Sequence, residues 1–155
     1  MIASDPAFRP TAALRQWQAD LAELAFACAA TTPDEAGELV LAMRDLLAGA
    51  PGEWGRRMAG LPDGKTLSAL IAVGGTTSAA LALLEGRAGY MLSQAPGGCP
   101  MATVVFEGLT AEASAEGDCP ATALLGALAA CLAGPALQLG QDLSEPAPPL
   151  GARLN

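Results

Sequence analysis

Apolar positions recur at helical spacing through the first third of the chain. Over 12–30, Leu14, Trp17, Leu21, Leu24, Ala25 and Cys28 fall on one stripe, with Arg15, Gln18, Asp20 and Glu23 off it. That is the pattern of a helix with one face turned to a core. Thr31-Thr32-Pro33-Asp34-Glu35 reads as a stop and restart. Thr32 suits an N-cap, Pro33 the first helical position and Glu35 the third, which together predict a capping box. The second helix turns Leu39, Met43, Leu46 and Leu47 inward and is expected to end at Gly49 in a left-handed cap. Pro51 opens a short third helical turn with Trp54 and Met58, closed by Gly60-Leu-Pro-Asp-Gly64.

Further on the period falls to two. Met101 to Glu107 alternates with Ala102, Val104 and Phe106 on one face, and 110–116 sets Ala111, Ala113 and Ala115 against Thr110, Glu112, Ser114 and Glu116. Gly108-Leu109 between them suits a two-residue hairpin turn with glycine first. Residues 89–94 read as a further strand, ended by Ala95-Pro96-Gly97-Gly98. The segments 67–73 and 78–84 fit a strand or a short helix equally; assigned to the sheet, they give an antiparallel meander of four or five strands. After the hairpin Asp118 is expected to cap a helix, with Pro120 in its first turn, Leu124, Leu125, Leu128 and Leu132 on its buried side, and Gly134-Pro135 as its stop. The expected fold is α+β: an N-terminal helical pair, the meander, and a C-terminal helix packed on the sheet. It forms one domain over 1–137, helical over 11–60 and sheet-and-helix over 66–134, followed by a proline-rich tail over 138–155.

Composition narrows the function. A chain of 155 residues suits a single core. Sixteen Asp and Glu against eight Lys and Arg give a net charge of −8, which argues against a nucleic-acid partner, because phosphate binding needs clustered bases. The chain has no histidine, so the commonest general base and metal ligand and every Ser-His or Cys-His dyad are excluded. No metal and no cofactor are expected. The opening MIASDPAFRP has no apolar core of a signal peptide, which points to the cytoplasm. The uncharged stretches 66–84 and 119–141 reach bilayer length. Gly74-Gly75 and Gly134-Pro135 interrupt them and no aromatic belt flanks them, so a soluble chain is the preferred reading. Of four cysteines, Cys28 and Cys131 lie in apolar stripes and are expected to be buried free thiols. Cys99 and Cys119 lie in loops flanking the predicted hairpin and could approach in space, but without a CxxC spacing a redox or zinc reading is weak.

Several motifs invite chemistry. Gly60-Leu-Pro-Asp-Gly64-Lys65-Thr66 is one residue short of a phosphate loop and contains a proline where an amide is needed, so it reads better as a Pro-Asp-Gly turn. Glu107, Glu112, Glu116 and Asp118 gather around one hairpin, an arrangement more typical of a solvated outer face than of a cation site. Gly74-Gly75-Thr76-Thr77-Ser78 offers amides to an anion but suits a plain connector. Trp54, Tyr90 and Phe106 are candidates for lining an apolar ligand pocket between sheet and helices.

The run 118–134, Asp-Cys-Pro-Ala-Thr-Ala-Leu-Leu-Gly-Ala-Leu-Ala-Ala-Cys131, resembles the cysteine-bearing helix of OsmC/Ohr-type peroxide reductases, with their Pro-x-x-Leu-Leu-x-Ala-x-x-x-Cys pattern. The resemblance implies that Cys131 is a peroxide-attacking thiolate, which needs a lowered pKa and a cationic neighbour. That family places this helix early and carries a second cysteine beyond it, whereas 24 residues follow Cys131 here. Residues 89–134 also resemble small strand-strand-helix domains of phage proteins, a likeness that implies no chemistry.

Sparse charge and a mean hydropathy of +0.35 leave apolar surface for another subunit to cover. The leading expectation is a small non-catalytic interaction or accessory protein that acts as a homo-oligomer, through the sheet edge or the Ala/Leu helix face. The alternatives are a thiol-dependent peroxide reductase using Cys131, or a binder of small apolar ligands.

Overall fold

The structure, a computed structural model, describes residues 10–109 and 111–134. The helical start follows the stripe read from the sequence. Helix α1 (Ala12–Ala30) begins where Thr11 Oγ1 accepts from the Leu14 amide at 3.1 Å, and it buries Trp17, Leu21, Leu24 and Cys28. The predicted capping box does not form. Pro33–Glu35 winds as a 3-10 turn in which the Glu35 amide donates to the Thr32 carbonyl at 3.1 Å, and the Thr32 side chain makes no cap bond. The backbone bond satisfies the donor that the hydroxyl would have taken. Helix α2 (Ala36–Ala48) buries Ala36, Val40, Met43 and Leu47.

Gly49 ends α2 with φ −90°, not in the left-handed region. Pro51 biases Ala50 toward an extended conformation, so the helix stops without a left-handed residue. The positive φ falls instead at Gly52 (57°), which leads into α3 (Glu53–Arg57).

The segments 67–73 and 78–84 are helical, which corrects the assignment to strands. Helix α4 spans Gly64–Ala72 and α5 spans Thr76–Leu84. Asp63 starts α4, its carboxylate accepting from the Thr66 amide at 2.7 Å. Ala79, Ala80, Leu83 and Leu84 then fall at the three-and-four spacing of a buried helical face. Alanine favours the helix, and too few polar residues lie between the apolar ones to mark the period in the sequence alone.

The described residues form three strands, not four or five: β1 (Ala88–Ser93), β2 (Met101–Phe106) and β3 (Glu112–Glu116), antiparallel in the order β1-β2-β3. Val104 pairs with Tyr90 on one side and Ala113 on the other. The β2–β3 ladder ends at Val105 opposite Glu112, and the two-residue turn expected at Gly108-Leu109 is not formed: the Leu109 amide donates to the Phe106 carbonyl at 3.0 Å, so Gly108 (φ 86°) stands second in its turn, after Glu107. Ala102, Val104 and Phe106 point inward and are buried, as their alternation predicts. Thr110, the first residue of the predicted last strand, lies outside the described residues.

Helix α6 (Pro120–Ala133) is the centre of the molecule. Its N-cap is Cys119 rather than Asp118, because Pro120 fixes the first helical position; Thr122 Oγ1 accepts from the Cys119 amide at 3.3 Å. Twelve of its fourteen residues are buried. The sheet covers one side and α1, α2 and α5 cover the rest. A helix apolar all round must be wrapped in protein or lipid, and here protein wraps it. Among the described residues no helix is long and apolar enough to cross a membrane. The proline-rich tail assigned to 138–155 lies outside the described residues.

Candidate functional site

The two edges of the sheet are built differently. Strand β3 is short and carries Glu112 and Glu116 on its outer face, flanking a Ser114 hydroxyl that bonds to Thr103 Oγ1 at 2.7 Å. Charged residues on a short edge strand discourage pairing with another chain. Strand β1 has no such protection. From Ala88 to Phe106 the chain contains no charged residue, and β1 exposes Tyr90 (52 %), Met91 (68 %) and Leu92 (39 %).

The exposure has a structural cause. Tyr90 and Leu92 share the inner face of the sheet with Val104 and Ala102, their partners across β2. Helix α6 lies over β2 and β3 and scarcely reaches β1, so nothing covers these side chains among the described residues. Helix α5 stands beside them instead. It leaves a groove of about 340 Å³ whose lining is mostly apolar, with Leu81, Ala82, Leu84, Ala88 and Tyr90 beside Ser78 and Glu85. On the opposite face Met91 pairs with Thr103, and the β2 residues on either side of it on that face, Met101 and Val105, are half-exposed. Among the described residues the edge therefore offers unpaired backbone groups with apolar side chains on both faces.

The three aromatic candidates do not share a pocket. Trp54 and Phe106 lie together, ring centroids 5.7 Å apart, and Trp17 extends the stack to a third ring 5.6 Å from Trp54. Tyr90 belongs to the α5–β1 groove. The aromatic ladder ties α1, α3 and the sheet together and is held by packing.

Cys131 is buried in α6 and its thiol donates to the Ala111 carbonyl at 3.7 Å. Burial pushes its pKa up, partly opposed by the Phe106 backbone. Cys28 is pushed further, to about 12, by burial and by the neighbouring Cys119 thiolate. All four cysteines are free thiols, and Cys99 alone is exposed. In the native protein Cys99 is therefore expected to react with a thiol reagent near pH 8 at least tenfold faster than Cys28 or Cys131, since the thiolate is the nucleophile. Mass mapping of the labelled peptides checks this; labelling of Cys131 as fast as Cys99 contradicts it. Cys28 also sets an alkaline limit. Its folded pKa exceeds the ordinary 9.0, so its contribution to stability is complete below about pH 9 and is lost as pH rises toward about 12.

The remaining motifs are used internally. The Asp63 carboxylate occupies the Thr66 amide of the phosphate-loop-like turn, and this hydrogen bond holds its pKa below the usual carboxylate range. In the Gly74-Gly75 connector the amides donate to the carbonyls of Ile71 and Leu70, at 3.0 and 2.7 Å.

One residue that the sequence does not single out is Arg87. It is 8 % exposed and sits below the end of α5. Its Nη1 donates to the carbonyls of Leu83 (3.3 Å) and Glu85 (3.0 Å), and Nη2 to that of Ala59 (3.0 Å). Burial lowers its pKa and the Glu85 charge opposes that shift. Only a backbone trace reveals this role, since an isolated arginine after Glu-Gly carries no periodic signal. No protein family, curated protein or solved structure matches this chain.

Proposed function

We propose that this protein is a non-catalytic interaction or accessory protein that acts as a homo-oligomer, its copies joined through the free edge of β1. The observation that carries this reading is the uncharged edge strand with Tyr90, Met91 and Leu92 exposed beside the α5 groove. Two β1 strands pairing antiparallel about a two-fold axis would satisfy each other's outward backbone groups and join two three-stranded sheets into one of six. In that arrangement the inner face of one sheet continues into the inner face of the other. Tyr90 and Leu92 of each copy then help cover the α5 groove of its partner. The charge distribution supports the same approach, because the repulsion expected between two chains of net charge −8 is weakest at a segment with no charge.

The test is the double substitution Tyr90→Lys/Leu92→Lys, which places two cations on an edge that must come within strand-pairing distance of its own copy. Light scattering is expected to show the assembly reduced to single chains, with an unchanged far-ultraviolet circular dichroism spectrum. An assembly of unchanged mass in the double variant would exclude this edge as the interface.

A further inference from the structure

We propose that the cleft between α3 and the β2–β3 turn binds a small oxyanion, a carboxylate or phosphate group, between the guanidinium groups of Arg57 and Arg87. The cleft measures about 300 Å³ and is lined by Arg57, Gly86, Arg87, Phe106, Glu107 and Gly108. Two arginines thus share one small cavity in a chain with only eight basic residues.

Among the described residues no carboxylate lies within ion-pair distance of either cation, and the only ion pair joins Arg44 to Asp45. The acceptors around Arg87 among the described residues are all backbone carbonyls, and its Nε is buried without a partner. The carbonyls of Leu83 and Glu85 belong to the C-terminal end of α5 and offset the charge only in part. A guanidinium whose hydrogen-bond acceptors are all neutral carbonyls keeps a charge that an anion in the cleft would complement.

Arg57 supplies the accessible half of the site. Its guanidinium lies over the Trp54 ring at 5.1 Å, and Nη1 reaches toward the Glu107 carbonyl at 3.5 Å. Stacking on an aromatic face fixes the plane of the fork, which favours two-point contact with a planar or tetrahedral oxyanion. Gly108 makes this placement possible. A Cβ there would come 2.8 Å from Arg57 Nη1, so any larger residue would push the guanidinium aside. The oxyanion sits against Arg57, with the charge of Arg87 beneath it and Phe106 as the apolar wall. Glu107 is the one acid on the lining; it limits affinity and excludes ligands that present only charge.

The experiment titrates the full chain with inorganic phosphate and separately with benzoate at constant ionic strength, with chloride as the control, following tryptophan fluorescence through the Arg57–Trp54 stack. At least one of the two is expected to saturate with a Kd of about 1 mM or tighter. Arg57→Gln should raise that Kd about tenfold, and Glu107→Gln should lower it several-fold; both positions are exposed, so both variants keep the fold. Saturation by phosphate alone or by benzoate alone supports the site and identifies the group it takes. No saturation beyond the chloride response, or an unchanged Kd in Arg57→Gln, overturns the proposal.

Discussion

Trp17→Ala is expected to destabilise the protein by about 3–5 kcal/mol, the range for removing a large buried aromatic. The indole is buried in α1 and joins three parts of the molecule. Its ring stacks on Trp54, which in turn meets Phe106 of the sheet. Its Nε1 donates to the Leu46 carbonyl at 2.7 Å, one of the last four carbonyls of α2 that no helical amide can reach. Alanine removes the stacking, opens a cavity and leaves that carbonyl without its donor. Against a total stability of about 5–15 kcal/mol, the loss consumes a large share of what holds the fold. Trp17→Phe separates the contributions: it keeps most of the ring contact and gives up the hydrogen bond, so a smaller loss of about 1–2 kcal/mol is expected. Urea denaturation of both variants measures this. A loss below about 1 kcal/mol in the alanine variant would contradict the aromatic ladder as a structural tie.

Gly126→Leu is expected to be as severe, by the opposite route. Glycine inside a helix is unfavourable, and on helix propensity alone the exchange should gain about 1 kcal/mol. Packing decides against it. A Cβ at Gly126 would lie 3.2 Å from the Ala115 Cβ of β3 and 3.4 Å from the Cys28 Cβ of α1. The remaining carbons of leucine would have to force α6 away from α1, the sheet, or both. Overpacking of this kind costs about 3 kcal/mol or more where neither neighbour can yield, which outweighs the gain in propensity. Gly126→Ala adds only the Cβ, and its effect is expected to stay within about 1 kcal/mol of the parent. A leucine variant as stable as the parent in thermal unfolding would show that α6 is not clamped between α1 and β3.

Much of the fold is legible in the residues because charge and alternation mark it. Asp20 and Glu23 off the Trp17–Leu21–Leu24 stripe define α1, and Glu112, Ser114 and Glu116 opposite Ala113 and Ala115 define β3. Where such marks are missing, the period disappears. Residues 66–84 contain no charge, so two helices there read equally as strands. The run 121–133 reads as a helix with one buried side because its leucines stand out, yet all of its alanines but Ala130, and Gly126, are buried as well. Small residues permit close approach on every side, and a one-dimensional pattern does not show how many neighbours a helix has. The candidate site divides the same way. The uncharged stretch 88–106 is plain in the sequence, but with 67–84 assigned to the sheet its first strand is not an edge there; the structure makes it one. That Tyr90 and Leu92 are the exposed residues follows from α6 stopping short of β1, which is a matter of tertiary placement. Arg57 and Arg87 stand thirty positions apart in the sequence, and only the α5–β1 connection brings them to one cleft.

The most direct test of β1 as a self-association edge is the mass of the unmodified chain in solution. Size-exclusion chromatography with light scattering, in reducing buffer and over a hundredfold range of concentration, is expected to give an assembly of at least twice the 15.5 kDa chain mass. Reducing conditions keep the exposed Cys99 from linking chains covalently, so the assembly measured is non-covalent. A single chain of 15.5 kDa at every concentration would contradict self-association and leave the edge of β1 without its proposed partner.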